Sequence, residues 1–305
     1  MKEKFQEVNF REPSRLVIQQ ADQIIRDFQA RGFTLTLRQL YYQFVSKALI
    51  PNKLTEYKRL GKIVNDARLA GLLDWSAIED RTRNVKKPNV WESPEAIIRA
   101  VADQYQEDPW DDQEFRPEVW IEKDALVGVI EGVCNDHRVP FFACRGYVSQ
   151  SEAYDAGKRF ERTRRAGQTP LILHLGDHDP SGLDMTRDIK ARLTMFGGKI
   201  AVRRLALNMG QIDQYGPPPN PAKDTDARFE GYQEEFGDSS WELDALDPDV
   251  ISDLIRDELA RVIDPDLWAR SMAEEAETKK DLTRTYTYWS EVVTHVRDLE
   301  KDDSE

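Results

Sequence analysis

The sequence predicts an α/β protein, with a helical N-terminal third followed by a mostly parallel sheet whose strands end in acidic turns. Three stretches carry that prediction. Residues 118–133, EVWIEKDALVGVIEGV, read as a short buried strand at Val119, Trp120 and Ile121, with Glu122 at its end. A helix follows, with Leu126, Val129, Ile130 and Val133 at i, i+3, i+4 and i+7. Residues 171–183, LILHLGDHDPSGL, repeat the arrangement as an apolar strand, a tight loop carrying Asp177 and Asp179, and a helix continuing through Ile189 and Leu193. Residues 14–69 carry helical periodicity instead.

In the N-terminal third, Leu16, Ile18, Ala21, Ile24, Ile25 and Phe28 share one helical face, and Gly32 is the stop signal. Thr36 is the N-cap candidate of the next helix, in which Leu37, Leu40, Tyr41, Phe44 and Val45 face inward. Tyr42 is rotated about 100° from Tyr41 and shares its side of the helix with Arg38 and Ser46. It is therefore the tyrosine expected to be open to a partner. A phenol with an unperturbed pKa of about 10 is a poor nucleophile; a guanidinium beside it can stabilise both the phenolate and an attacked phosphate. A third helix from Thr55 turns Leu60, Ile63, Val64 and Ala67 inward and Lys58, Arg59, Lys62 and Arg68 outward. Leu72, Leu73, Trp75 and Ile78 are expected to form a short hairpin running into Arg81, Arg83, Lys86 and Lys87. That element order predicts an N-terminal winged-helix (CAP-like) domain.

The formal net charge of −13 argues against a phosphate-bearing partner until its distribution is considered. Residues 1–100 carry 18 Lys and Arg against 12 Asp and Glu, residues 101–240 carry 17 against 25, and residues 241–305 carry 8 against 19. The basic surplus is confined to the first third, so contact with DNA is expected there first. No apolar run approaches the length of a membrane span, and the stretch MKEKFQEVNFREPSR lacks the apolar centre of a secretion signal. Cys134 and Cys144 stand in neither metal-ligand nor disulfide spacing. A reducing, cytoplasmic compartment and no membrane partner are the expectation.

Further strands are predicted at 139–144 and 199–207. Between the second and third strands, Ser149 or Ser151 caps a helix carrying Ala153, Ala156, Gly157 and Phe160. Residues 103–117, DQYQEDPWDDQEFRP, read as a linker. Residues 209–240 contain three consecutive prolines and no clear period, and are expected to be a long functional loop over the acidic edge, with Lys223 a candidate phosphate contact. Glu242 is either an accessory acid or a surface residue. The remainder alternates acids and apolar residues in helical phase and ends in the polar tail EKDDSE. No phosphate-loop motif, Cys-x-x-Cys pair or His-Glu-x-x-His is present, and His174, inside the apolar strand, is expected to be a core residue.

Two carboxylates one residue apart supply hard oxygen ligands of the kind Mg²⁺ takes, and the same pattern also serves loop solvation or helix capping. A strand ending in Glu122, with a later strand ending in Asp177-x-Asp179, resembles the Toprim domain of topoisomerases, bacterial-type primases and certain nucleases. The resemblance implies Mg²⁺ held by Glu122, Asp177 and Asp179. With the preceding segment LTLRQLYYQF, residues 15–260 resemble the A subunit of type IIB topoisomerase VI and the related transesterase that makes meiotic double-strand breaks, above all its compact Mini-A relatives. In that family an Arg-x-x-[aromatic]-Tyr segment supplies the nucleophile, which matches Arg38 and Tyr42.

The implied organisation is a winged-helix domain over 1–102, a linker over 103–117, a Toprim domain over 118–248 and C-terminal helices over 249–305. The implied activity is double-strand DNA cleavage by a homodimer, leaving a 5′-phosphotyrosyl linkage. Lys58, Arg59, Lys62, Arg68 and Lys223 are the expected DNA contacts, and a separate B-type ATPase subunit is a further implied partner. Two alternatives stay open: a metal-dependent hydrolytic nuclease of the Toprim kind, and a non-enzymatic winged-helix DNA-binding protein.

Overall fold

A computed structural model describes residues 2–78, 88 and 90–302. The chain divides into two compact units, Met1–Arg83 with Arg116–Arg261, and Asn84–Phe115 with Val262–Glu305. Fold class is as expected, α/β around a parallel sheet.

The first unit opens with α1 (Glu12–Ala30), α2 (Leu37–Ser46) and α3 (Leu54–Leu69). Thr36 caps α2 in a full capping box with Gln39, each side chain taking the other's backbone N–H. A core of Ile25, Phe28, Leu40, Phe44, Leu60 and Val64 joins the three helices. Ala245, from far along the chain, packs into the same core. The expected hairpin is replaced, through Ile78, by a 3-10 turn at Trp75–Ala77, with Ile78 forming a single parallel bridge to Leu35. Asp74 holds that turn by accepting the Ser76 N–H. The basic residues Arg81, Arg83, Lys86 and Lys87, and the end of the EKDDSE tail at 303–305, lie outside the described residues.

Helix α4 (Pro94–Gln104) belongs to the second unit. The first unit resumes with β1 (Phe115–Ile121), α5 (Val127–Asp136), β2 (Phe141–Ala143), α6 (Gln150–Arg165), β3 (Thr169–Leu175), α7 (Pro180–Gly197) and β4 (Ala201–Ala206). Ser149 caps α6 as expected. Strand order is β2-β1-β3-β4, with Val119 opposite Phe141 and Leu171 opposite Ala201. The chain steps to opposite sides from β1 and β3, so these neighbours form the switch point at which a parallel sheet opens a crevice beyond its carboxyl ends. Both strands are buried over their second halves and end in acids.

Residues 209–240 are not a structureless loop. They form α8 (Met209–Tyr215), β5 (Asn220–Pro221), α9 (Phe229–Phe236) and β6 (Ser239–Ser240), with β5 and β6 antiparallel. Helix α10 (Pro248–Val262) ends the unit, burying Ile251, Ile255 and Leu259.

In the second unit, α4 packs on α11 (Pro265–Thr287), which is followed by α12 (Trp289–Asp302). The stretch expected as a linker is built into this unit. Trp110 is buried edge-to-face on Trp268, the Glu107 N–H donates to Glu275 at 2.8 Å, and Gln113 exchanges hydrogen bonds with the Asp264 backbone. Its acidic composition concealed two anchors, Trp110 and Gln113.

Helices α6 and α7 meet through glycine. A Cβ on Gly157 would stand 2.4 Å from the Phe196 Cβ, nearer than two carbons can pack. Gly157→Ala is expected to cost about 1–3 kcal/mol by overpacking, read as a lower urea midpoint at unchanged denaturant slope.

Candidate active site

The acids meet where β1 and β3 end. Glu122 follows β1, and its Oε2 accepts the Asp177 N–H at 2.8 Å. Asp177 is buried; its Oδ1 accepts the Leu243 N–H at 2.8 Å and its Oδ2 pairs with Lys123 Nζ at 2.9 Å. Asp179 caps α7, accepting the Gly182 N–H at 2.6 Å, and Pro180 occupies the first helical turn. Gly182 is required for this turn, since a Cβ there would lie 2.3 Å from the Asp177 carbonyl oxygen. The middle residue, His178, is turned away from the acids. Its backbone pairs with Trp241 at 2.8 and 2.9 Å, and its ring sits among Tyr232, Phe236 and Trp241.

Lys123 stands at the centre. Besides Asp177, its Nζ reaches Glu242 at 2.7 Å and Asp244 at 3.1 Å. Burial by itself would lower the lysine pKa, and Asp244, Asp177 and Glu242 together raise it instead, so it is a fixed cation. Burial pushes Asp244 up to about 6 despite its two cations. Glu242 goes the other way, to about 2, because Lys123 and Arg38 outweigh its burial. Sequence reasoning raised Glu242 only as an open alternative and missed Lys123 and Asp244, whose roles depend on partners more than a hundred positions apart.

Arg38 joins the tyrosine to this centre. It pairs with Glu242, reaches Asp244 through Nε at 2.9 Å, and lies 5.8 Å from the centre of the Tyr42 ring. The expected proximity of Arg38 and Tyr42 holds, but the expected exposure does not. Tyr42 is buried, as is Tyr41, because a 3-10 turn, Leu243–Ala245, packs on α2 and covers the side that periodicity had left for solvent. Burial, with Glu242 and Asp244 nearby, pushes the Tyr42 hydroxyl up to about 12 against the lowering effect of Arg38 and Asn220. Tyr42 shares a cavity of about 300 Å³ with Arg38, Tyr41, Asn52, Asn220 and Glu242.

Arg204 was also missed. From β4 it donates to the carbonyl oxygens of Gly176, Asp177 and Gly182 at 2.6–3.1 Å and thereby holds the Asp-x-Asp loop; burial lowers its pKa to about 10. His174, its register partner, is a core residue as expected, bonded through Nδ1 to Thr186.

The acidic edge suits a hard cation. Glu122 is raised to about 7, first by burial and then by Asp177, which marks negative charge left partly uncompensated. Hydrogen bonds occupy Glu122 Oε2 and Asp179 Oδ1 and leave Glu122 Oε1 and Asp179 Oδ2 open among the described residues. Two such carboxylate oxygens match the one or two that Mg²⁺ takes while keeping its waters. Asp177, expected as an equal third ligand, has both oxygens engaged, and no group of three or more candidate ligands is assembled among the described residues.

Of the expected DNA contacts, Lys58, Arg59 and Lys62 are exposed on α3, and Lys223 is exposed in the turn after β5. Arg68 is instead a structural residue, donating to the Trp75 carbonyl at 2.7 Å with its guanidinium over the Trp75 ring. No helix among the described residues is long and apolar enough to cross a membrane.

Removing Lys123 leaves Asp177, Glu242 and Asp244 short of their shared cation. Lys123→Met is expected to cost about 3–5 kcal/mol at neutral pH, measured by urea unfolding. His174 supplies a pH test. Burial holds its folded pKa at about 3, below the ordinary histidine value of about 6.5, so the unfolded chain binds the proton first. Stability is therefore lost as pH falls from about 6.5 toward 3, by up to about 1.4 kcal/mol per pH unit, and His174→Gln should remove that part of the slope. Compared with known proteins, the chain matches no family model and no curated sequence.

Proposed function

We propose that this chain is a Mg²⁺-dependent DNA-cleaving transesterase of the type IIB topoisomerase A-subunit kind, with a Toprim-type sheet and a winged-helix-type N-terminal domain. The supporting observation is the placement of Arg38. It lies against the Tyr42 ring and shares Glu242 with Lys123, which in turn pairs with Asp177, so nucleophile and carboxylate edge belong to one connected set of charges.

In this reading Tyr42 Oη attacks a backbone phosphorus in line. The Oη–P bond forms as the bond from phosphorus to the 3′-oxygen breaks. The phenolic proton passes to solvent, and the departing 3′-oxygen takes one up. The products are a 5′-phosphotyrosyl protein and a free 3′-hydroxyl. Arg38 donates to the non-bridging phosphate oxygens and opposes the charge that builds on them. Glu122 and Asp179 would hold Mg²⁺ through their open oxygens, beside Asp177, which Lys123 keeps engaged; when bound, the ion supplies neutralisation of the phosphate and of the departing oxygen. Lys58, Arg59, Lys62 and Lys223 meet backbone phosphates of double-stranded DNA. One tyrosine cuts one strand, so double-strand cleavage is the work of a homodimer.

A second reading, a hydrolytic Toprim-type nuclease, is favoured by one observation: Tyr42 is buried, and burial with Glu242 and Asp244 nearby pushes its hydroxyl up to about 12. There water attacks and Tyr42 is a packing residue. The two separate on a denaturing gel of supercoiled plasmid incubated with protein and Mg²⁺, with and without protease. The transesterase gives protein-linked 5′ ends that disappear in Tyr42→Phe, at least about 10³-fold down because the nucleophile is lost. Protein-free breaks that survive in Tyr42→Phe establish the nuclease, and Asp179→Ala, which removes one of the two open ligand oxygens, abolishes cleavage in both.

A further inference from the structure

Asn220 lies in β5, within the segment expected to be a loop, yet it lines the cavity that holds Tyr42 and acts, with Arg38, to lower the Tyr42 pKa. Its amide orientation is set by a relay that begins on the neighbouring tyrosine. The Tyr41 hydroxyl donates to Asn52 Oδ1 at 2.9 Å, which leaves the Asn52 amide nitrogen as a donor. That nitrogen donates to Asn220 Oδ1 at 2.5 Å and, more distantly, to the Pro219 carbonyl at 3.4 Å. With the Asn220 oxygen engaged by Asn52, the amide N–H₂ is the donor left for the cavity that Asn220 shares with Tyr42.

We propose that Asn220 is a further catalytic residue, whose side-chain N–H₂ stabilises the anion developing on Tyr42 Oη, and that Asn52 is the positioning residue that fixes the orientation of the Asn220 amide. The inference rests on the transesterase reading and deepens it. A buried phenol flanked by Glu242 and Asp244 is held in its neutral form, and the two groups opposing that are Arg38 and Asn220. Arg38 is shared with Glu242 and Asp244, so its charge is already largely spoken for. Asn220 carries no competing charge and is aimed by its partner, the condition under which a fixed donor serves a developing anion best. The antiparallel pairing of β5 with β6 at Asn220–Ser240 and Pro221–Ser239 fixes the backbone beneath it. Since β6 runs directly into Trp241 and Glu242, the donor, the Arg38 partner and the bridge to His178 are carried by one continuous stretch.

The test compares Asn220→Ala, Asn220→Asp and Asn52→Asp for covalent cleavage of plasmid, with folding verified by urea unfolding. Asn220→Asp keeps the shape and removes the N–H₂. Both Asn220 variants should lose about ten- to a hundredfold in cleavage rate, the worth of one hydrogen bond to a charged group. Asn52→Asp should lose less, because it frees the Asn220 amide to turn without removing it. A second readout separates chemistry from packing. Replacing Tyr42 by a fluorotyrosine, whose phenol is more acidic, should recover much of the Asn220→Ala loss, which a merely structural defect would not allow. Its fluorine resonance should titrate at higher pH in Asn220→Ala than in the parent. Wild-type cleavage in both Asn220 variants, or an unmoved fluorine titration, overturns the proposal while leaving Tyr42 as nucleophile. Cleavage that persists in Tyr42→Phe overturns the transesterase reading and the role of Asn220 with it.

Discussion

A buried ammonium group organises this protein. Lys123 brings its charge into a site where leaving water is costly, and the cost is met by three carboxylates from two distant parts of the chain: Asp177 after β3, and Glu242 and Asp244 after β6. The lysine needs these carboxylates to offset its burial, and they need it, although Glu242 is half-buried and it and Asp244 also pair with Arg38. The mutual requirement ties the sheet edge to the segment that covers α2.

The rest of the first unit follows from that tie. Once Glu242 and Asp244 are drawn to Lys123, the turn Leu243–Ala245 is set down on α2, Ala245 enters the N-terminal core, and Arg38 meets the same acids from the other side. The Asp-x-Asp loop is held by a different set of contacts. Arg204 takes its carbonyl oxygens, Gly182 admits its tight turn, and His178 anchors it beneath α9. Two carboxylates so close to one another are kept apart in role by these contacts. Asp179 caps a helix and retains one open oxygen, whereas Asp177 is committed to the ion cluster.

Electrostatics and burial pull against each other at the tyrosine. A solvent-facing phenol beside arginine would ionise more readily than a free one; here burial and two neighbouring acids dominate and Tyr42 is held neutral. In the transesterase reading its activation then depends on what opposes those acids at the moment of attack. That places weight on a neutral, oriented donor such as Asn220, because the nearest cation is already shared.

Much of this was legible in local pattern. Strand, acid, helix at 118–133 and 171–193 located the two central strands and their terminal carboxylates, since burial on both faces demands an apolar run and the turn after it demands polar residues. Helical phase alone put Tyr42 on the side of Arg38, and Thr36 announced the start of α2. The exposure of Tyr42 was not legible, because α2 has its second face covered by residues some two hundred positions away. Nor was the structure of 103–117 or 209–240 legible, where Trp110, Gln113, Asn220 and Tyr232 act as isolated anchors with no period to reveal them. The sequence by itself determined which segments become strands and helices and which acids stand at strand ends, because those are near-neighbour consequences of periodicity. The tertiary structure alone decided which charges are paired, which tyrosine hydroxyl is buried, and which amide faces it, because each depends on a partner that chain order does not specify.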